Sequence, residues 1–140
     1  MSDDALGMRK LELARGPGGR LVAADSITMV APEDEGAVVV SGSHGGVSSG
    51  AYALAVPLRL AVFNDAGVGK DEAGIAALAM LQAQGRAGAT VSHVSARIGD
   101  ALDAWEHGVL SRLNEAALAL GLRAGQRLRE ALPVLIDTGR

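Results

Sequence analysis

Three short apolar runs, each closing in a polar, glycine-containing loop that leads into a helical stretch, limit what this chain can fold into. Ala37-Val38-Val39-Val40 is apolar without interruption, as a strand buried on both faces must be. It closes in Ser41-Gly42-Ser43-His44-Gly45-Gly46. Leu58 to Phe63 repeats the pattern and closes in Asn64-Asp65-Ala66-Gly67-Val68-Gly69-Lys70-Asp71. Ala89 to His93 is the third run, with Ser92-His93-Val94-Ser95-Ala96-Arg97 at its end. Strands alternating with helices predict a parallel sheet with right-handed crossovers. The expected fold is a small three-layer, Rossmann-like α/β domain, with a mostly parallel sheet and helices on both faces.

The remaining elements follow from periodicity and punctuation. Helices are expected over 48–55, stopped by Pro57, and over 72–84, closed by Gly85. Ile98, Leu102, Trp105, Val109, Leu113, Ala116 and Leu120 recur at steps of three and four. They predict one long amphipathic helix up to Gly121, with Gly108 as a point of division. A last helix over 124–132 is expected to end at Pro133. Upstream, 10–15 alternates like an edge strand before the Gly16-Pro17-Gly18-Gly19 turn. Residues 21–30 read as an extended segment interrupted by Asp25-Ser26, and 32–36 as an acidic turn. Length favours one domain over 1–140, with 1–20 a polar lead-in.

Composition narrows the function classes. Of 140 residues 49% are hydrophobic but only 2% aromatic, so the core is aliphatic and no platform exists for stacking bases. A net charge of −3 offers no basic stripe for nucleic acid. The absence of cysteine removes disulfides, thiol nucleophiles, zinc–thiolate sites and iron–sulfur clusters. Met1-Ser2-Asp3-Asp4 is acidic where a signal peptide needs positive charge, and no apolar run is long enough to span a bilayer. A cytoplasmic protein is expected.

In open α/β sheets ligands bind beyond the carboxyl ends of the strands. If the strands are parallel, the three polar loops share one rim, and two of the three histidines lie in them. His44 is the first candidate: an imidazole suits acid–base work at neutral pH, and Gly45 and Gly46 let the backbone approach a ligand. Ser43 is a candidate nucleophile and Ser41 a ligand-binding hydroxyl; most loop serines instead satisfy backbone. Asn64 or Asp65 would orient His44 or the substrate. Gly67 and Gly69 with Lys70 would hold a small anion; a triphosphate loop of the GxxxxGK[ST] kind would need Gly at 64 and Ser or Thr at 71. Asp71 also reads as a helix N-cap. His93, Ser95 and Arg97 complete the substrate-binding set, with Arg97 free to clamp a carboxylate or to pair with Asp100 or Asp71. Asp103 and His107, one helical turn apart, read as a solvated face rather than a metal site.

Ser43-His44-Gly45 at one strand end and Asp65-Ala66 at the next resemble the caspase-like cysteine peptidases, which place His-Gly and Asp-Ala-Cys at consecutive strand ends. Gly67 stands where those enzymes carry the nucleophile. The resemblance therefore implies a geometry, His44 beside the Asp65 loop, and not the peptidase reaction.

The function expected from these residues is that of a small-molecule enzyme, a metal-independent hydrolase or lyase acting on a carboxylate- or amide-bearing metabolite, with no cofactor. The alternative is a non-catalytic anion-binding or regulatory subunit of a larger assembly. A homo-oligomer is expected, because a rim site on so small a chain needs a neighbour to close it, and a partner subunit would serve equally.

Overall fold

The structure, a computed structural model, describes residues 7–138, so the Met1-Ser2-Asp3-Asp4 start lies outside it. It is a mixed α/β fold around a six-stranded sheet: β1 (Lys10–Gly16), β2 (Gly19–Ala24), β3 (Val38–His44), β4 (Leu60–Asn64), β5 (Gly88–Val91) and β6 (Leu110–Leu113). The strands lie side by side in chain order. β2 to β5 are parallel, and β1 and β6 are antiparallel edges.

Strand order decides where the helices go. With neighbours always consecutive, crossovers of one hand leave every connector on the same face. α1 (Val47–Leu54) and α2 (Ala76–Ala83) accordingly pack against each other, and with a short 3-10 turn at Ile27–Met29 they cover that face. The opposite face is left to the chain after β5: α3 (Ala101–His107), α4 (Glu115–Ala119) and α5 (Leu128–Thr138). Alternate strand residues feed the two layers. Val38, Val40, Leu60 and Val62 join Leu128, Leu132 and Ile136, while Val22, Val39, Ala61 and Phe63 join Ala53, Ala77 and Leu81. The order has no reversal, so the crevice of a doubly wound sheet does not arise here.

Several expected elements take a different form. The long helix over 98–120 is three elements: α3 stops at Gly108, Val109 to Leu113 runs on into β6, and α4 begins afresh with Asn114 as its N-cap. Asn114 Oδ1 accepts from the Ala117 N–H at 2.9 Å. The segment expected as a helix from Glu72 is a 3-10 stretch, Lys70–Ile75, ahead of a shorter α2; Asp71 does not cap it. The last helix starts at Leu128, and Pro133 lies inside it, because Leu128, Leu132, Leu135 and Ile136 line a single buried face. That packing outweighs the hydrogen bond the proline cannot donate. Among the described residues no helix is long and apolar enough to cross a membrane.

Candidate active site

Four parallel strands deliver four loops to one rim. Their backbones are drawn together by glycines whose missing side chains leave room. A Cβ on Gly42 would stand 2.5 Å from the Asp25 carbonyl and 2.6 Å from Gly99, so the end of β3 meets the loops after β2 and β5 there. A Cβ on Gly45 would lie 2.7 Å from the Gly74 carbonyl, and one on Gly74 only 2.1 Å from the Asp65 carbonyl. The β3 and β4 loops are thus in backbone contact.

The chemistry of the rim centres on Asp65. Its residue is 6% exposed, and its Oδ1 accepts from the Gly67 N–H at 2.8 Å and the His93 N–H at 3.1 Å. The same oxygen lies 3.3 Å from His93 Nδ1. Oδ2 accepts from the Ser111 hydroxyl at 2.8 Å, and Ser111 is in turn 2.9 Å from the Thr90 hydroxyl. Burial pushes the Asp65 carboxyl up, but these donors outweigh it and hold it below the usual carboxylate range. Asp65 is therefore an ionised, fixed acceptor, and it orients an imidazole that is half exposed.

The Asp65 carboxylate turns to His93 and not to His44. His44 pairs with Asn64 across β3 and β4, so it does stand beside the Asp65 loop. Its ring is bound elsewhere: His44 is exposed, and its Nδ1 accepts from the Gly46 N–H at 3.2 Å. The Ser43 hydroxyl accepts from the Ile27 N–H at 2.9 Å, which ties β3 to the 3-10 turn. The Ser41 hydroxyl is buried within the sheet and donates to the Val62 carbonyl at 2.9 Å. Asn64 is also internal, donating to the Ala96 carbonyl and accepting from the Ala66 N–H, both at 2.9 Å. Ser95 donates to the Ser92 carbonyl and accepts from the Val109 N–H, pinning the entry to β6. Arg97 is four-fifths exposed and 3.9 Å from Asp100, the structural pairing weighed from the sequence.

The loop after Asp65 is held in an unusual backbone. Ala66, Val68, Asp71 and Glu72 all have φ between 51° and 67°, and Gly67 and Gly69 are also positive, at 77° and 75°. Left-handed backbone at a β-branched residue such as Val68 is disfavoured, and each such position costs about 1–3 kcal/mol. The Val68 N–H donates to the Asp65 carbonyl and the Gly74 N–H to the Val68 carbonyl, both at 2.7 Å, which fixes the turn. Lys70 projects from it, exposed.

Two residues central to this arrangement escape sequence reasoning. Ser111 reaches the rim because β6 is antiparallel, so its beginning, not its end, lies there. Asp25 ends β2 on the same rim, where it accepts from the Ala101 and Arg9 N–H groups, both at 2.9 Å. The bracketing of Val109–Leu113 by Gly108 and the cap-forming Asn114 is the signal that points to β6.

Elsewhere, a cavity of about 470 Å³ lies between Asp71, Glu72, α2 and Arg112, and another of about 290 Å³ lies between α4 and α5. Neither brings a histidine to its lining. Among the described residues no three of His, Asp and Glu come together in a form that would hold a metal ion. No family model, curated protein or solved structure matches the chain.

Proposed function

We propose that the chain is a small-molecule enzyme, a hydrolase or lyase that acts on a carboxylate- or amide-bearing metabolite at the rim formed by the β3, β4 and β5 loops. The observation that carries this reading is the Ser111–Asp65–His93 chain of hydrogen bonds. A buried carboxylate that accepts from an imidazole Nδ1–H orients the ring and leaves Nε2 to take or give a proton. His93 thus takes the acid–base role for which His44 was the first candidate. Lys70 and the Gly67–Gly69 turn would hold the substrate's anionic group. The strain in residues 66–72 supports the same assignment, because strained backbone clusters at functional sites.

The broader architecture proposed is three-layered, on the strength of the two apolar clusters that flank the sheet. A second reading, a non-catalytic anion-binding or regulatory subunit, is favoured by the apolar side chains at the rim. Val94 is 84% exposed, Val47 65% and Ile98 51%. A second copy or a partner chain seated on them would close the site, in keeping with a cytoplasmic homo-oligomer.

The test is a thermal-shift screen of the chain against small carboxylates, amides and phosphates, with Lys70→Ala and His93→Asn alongside. Saturating a specific site a hundredfold over its dissociation constant stabilises by about 2.7 kcal/mol. The expected result is a shift with a carboxylate or amide that Lys70→Ala abolishes, followed by turnover of that class that His93→Asn abolishes. Stabilisation without turnover would transfer the site to the regulatory reading. No shift with any class would refute a self-contained site.

A further inference from the structure

We propose that His44 and His93 form an unlike pair, His93 the base and His44 a hydrogen-bond donor, and that the site deprotonates carbon next to a carbonyl group. The inference rests on the Asp65–His93 reading for its base; it adds the donor and the class of reaction.

The two rings are held by opposite kinds of partner. Asp65 is an ionised carboxylate and can only accept, so the proton between it and His93 sits on Nδ1. The neutral His93 ring then carries its lone pair on Nε2, away from Asp65. The Gly46 N–H can only donate, so His44 Nδ1 is the acceptor there. In the neutral His44 ring the proton sits on Nε2. One imidazole therefore offers a lone pair and the other an N–H, each fixed by the fold.

Register brings both loops to one rim. His44 pairs with Asn64, and Asn64 pairs with Val91 just before His93. The two loops leave the sheet two strand spacings apart, about 10 Å between backbones. The Asp65–Gly69 turn leaves the sheet between them, and it is small next to the base: a Cβ on Gly67 would come 3.5 Å from His93 Cε1, where no side chain intrudes.

The reaction follows from these roles. His93 Nε2 takes the proton of a C–H bond adjacent to a carbonyl. The electron pair of that bond becomes the new carbon–carbon double bond, and the carbonyl π pair moves onto oxygen. His44 Nε2–H donates to that oxygen as its charge develops. In a β,γ-unsaturated carbonyl substrate, return of that proton from His93 to the γ-carbon, as the oxygen pair re-forms the carbonyl and the double bond moves into the α,β position, completes an isomerisation. In a substrate with a β-substituent, the oxygen pair re-forms the carbonyl and the enolate's carbon–carbon pair moves to the α–β bond; the β-substituent leaves with its bonding pair and takes the proton from His93, which completes an elimination. Neither outcome needs a reactant beyond the substrate.

The experiment uses the full chain and acetohydroxamate, a planar mimic of an enolate, with His44→Ala, His44→Gln and His93→Gln. Long-range proton–nitrogen spectra should show His93 as the Nδ1–H form and His44 as the Nε2–H form. A glutamine at 44 keeps an N–H donor and alanine does not, so affinity should fall about tenfold or more in His44→Ala and largely return in His44→Gln. His93→Gln should not recover. Identical tautomers at the two rings, or His44→Gln as weak as His44→Ala, would overturn the donor role. Wild-type protein that fails to bind acetohydroxamate would overturn the enolate chemistry, while a hit from the carboxylate and amide screen would leave the broader reading standing. Both histidines are exposed, so the variants are expected to fold.

Discussion

Replacing Asp65 by asparagine and by alanine separates what this carboxylate does for the fold from what it does for the site. In asparagine Oδ1 remains to accept from the Gly67 and His93 N–H groups, at 2.8 and 3.1 Å in the native structure. The new amide replaces Oδ2 opposite the Ser111 hydroxyl, which can turn its proton to the Thr90 carbonyl, 3.3 Å away, and accept instead. What is lost is the charge in these bonds, a difference of roughly 1 kcal/mol. Alanine removes the acceptor from two backbone N–H groups and a hydroxyl at a position 6% exposed, where water replaces it poorly. At about 1–3 kcal/mol per stranded group, partly relieved by relaxation, the cost is roughly 4 kcal/mol. For a chain of this size 1 kcal/mol moves the midpoint by about 4 °C. The expected shifts are therefore about 4 °C for Asp65→Asn and about 15 °C for Asp65→Ala, while both lose ligand binding at the rim.

Thermal and urea unfolding measure the first quantity and the ligand screen the second. The pH dependence supplies a sign. The folded Asp65 carboxyl lies below its ordinary value, so the unfolded chain binds this proton more tightly. Its contribution is complete above the unfolded carboxyl pKa of about 3.9 and disappears as the pH falls through the folded value. The stability gap between wild type and Asp65→Asn should therefore be present at about pH 5 and close as the pH falls below about 4. Equal stability of Asp65→Ala and wild type, or a gap that does not close in acid, would refute the hydrogen-bonded core assigned to this residue.

Gly74→Ala should destabilise by about 2–3 kcal/mol and displace the Asp65 loop, because its Cβ would meet the Asp65 carbonyl at 2.1 Å, with backbone on both sides; unfolding and ligand binding should both report it. Asn114→Ala should cost about 3 kcal/mol and leave rim binding intact. That side chain is 8% exposed, donates to the Leu78 and Arg86 carbonyls, and accepts from the Gly88 and Ala117 N–H groups, joining α2, β5 and α4 far from the rim. Lys10→Met removes a 2.7 Å partner from the fully buried Asp34, which keeps Arg20 at 3.0 Å and the Ala31 N–H at 2.9 Å. A loss of about 2 kcal/mol at pH 7 is expected, less than the full cost of orphaning a buried charge. Burial raises the Asp34 carboxyl, while the Lys10 ammonium and its other donors bring it below the ordinary value. The Lys10→Met deficit should accordingly shrink as acid protonates Asp34, and a deficit unchanged at pH 3 would contradict the pairing.

The parallel centre of the sheet was legible because its strands are buried on both faces. Every residue of Val38–Val40 and Leu60–Phe63 is apolar and buried, and such runs read as strands from composition alone. The rim followed from them, since parallel strands point their ends one way. What misled the reading was the edge. Trp105, Val109 and Leu113 are spaced as on a helix, yet Trp105 and Leu113 pack on the same apolar cluster from α3 and β6 separately. A period of four is satisfied by a helix, and also by a helix and a strand that meet one core at a glycine. The edge in turn determined which histidine holds the carboxylate. With 98–120 drawn as one helix, no hydroxyl stands opposite Asp65 and His44 is its nearest neighbour in the pattern. With β6 antiparallel to β5, Ser111 takes Oδ2, and Oδ1 is left facing the next loop, where His93 is. Which histidine the Asp65 carboxylate holds is thus a consequence of strand direction at one edge of the sheet, a property set by tertiary packing and not by any local spacing of Asp65 and the two histidines themselves.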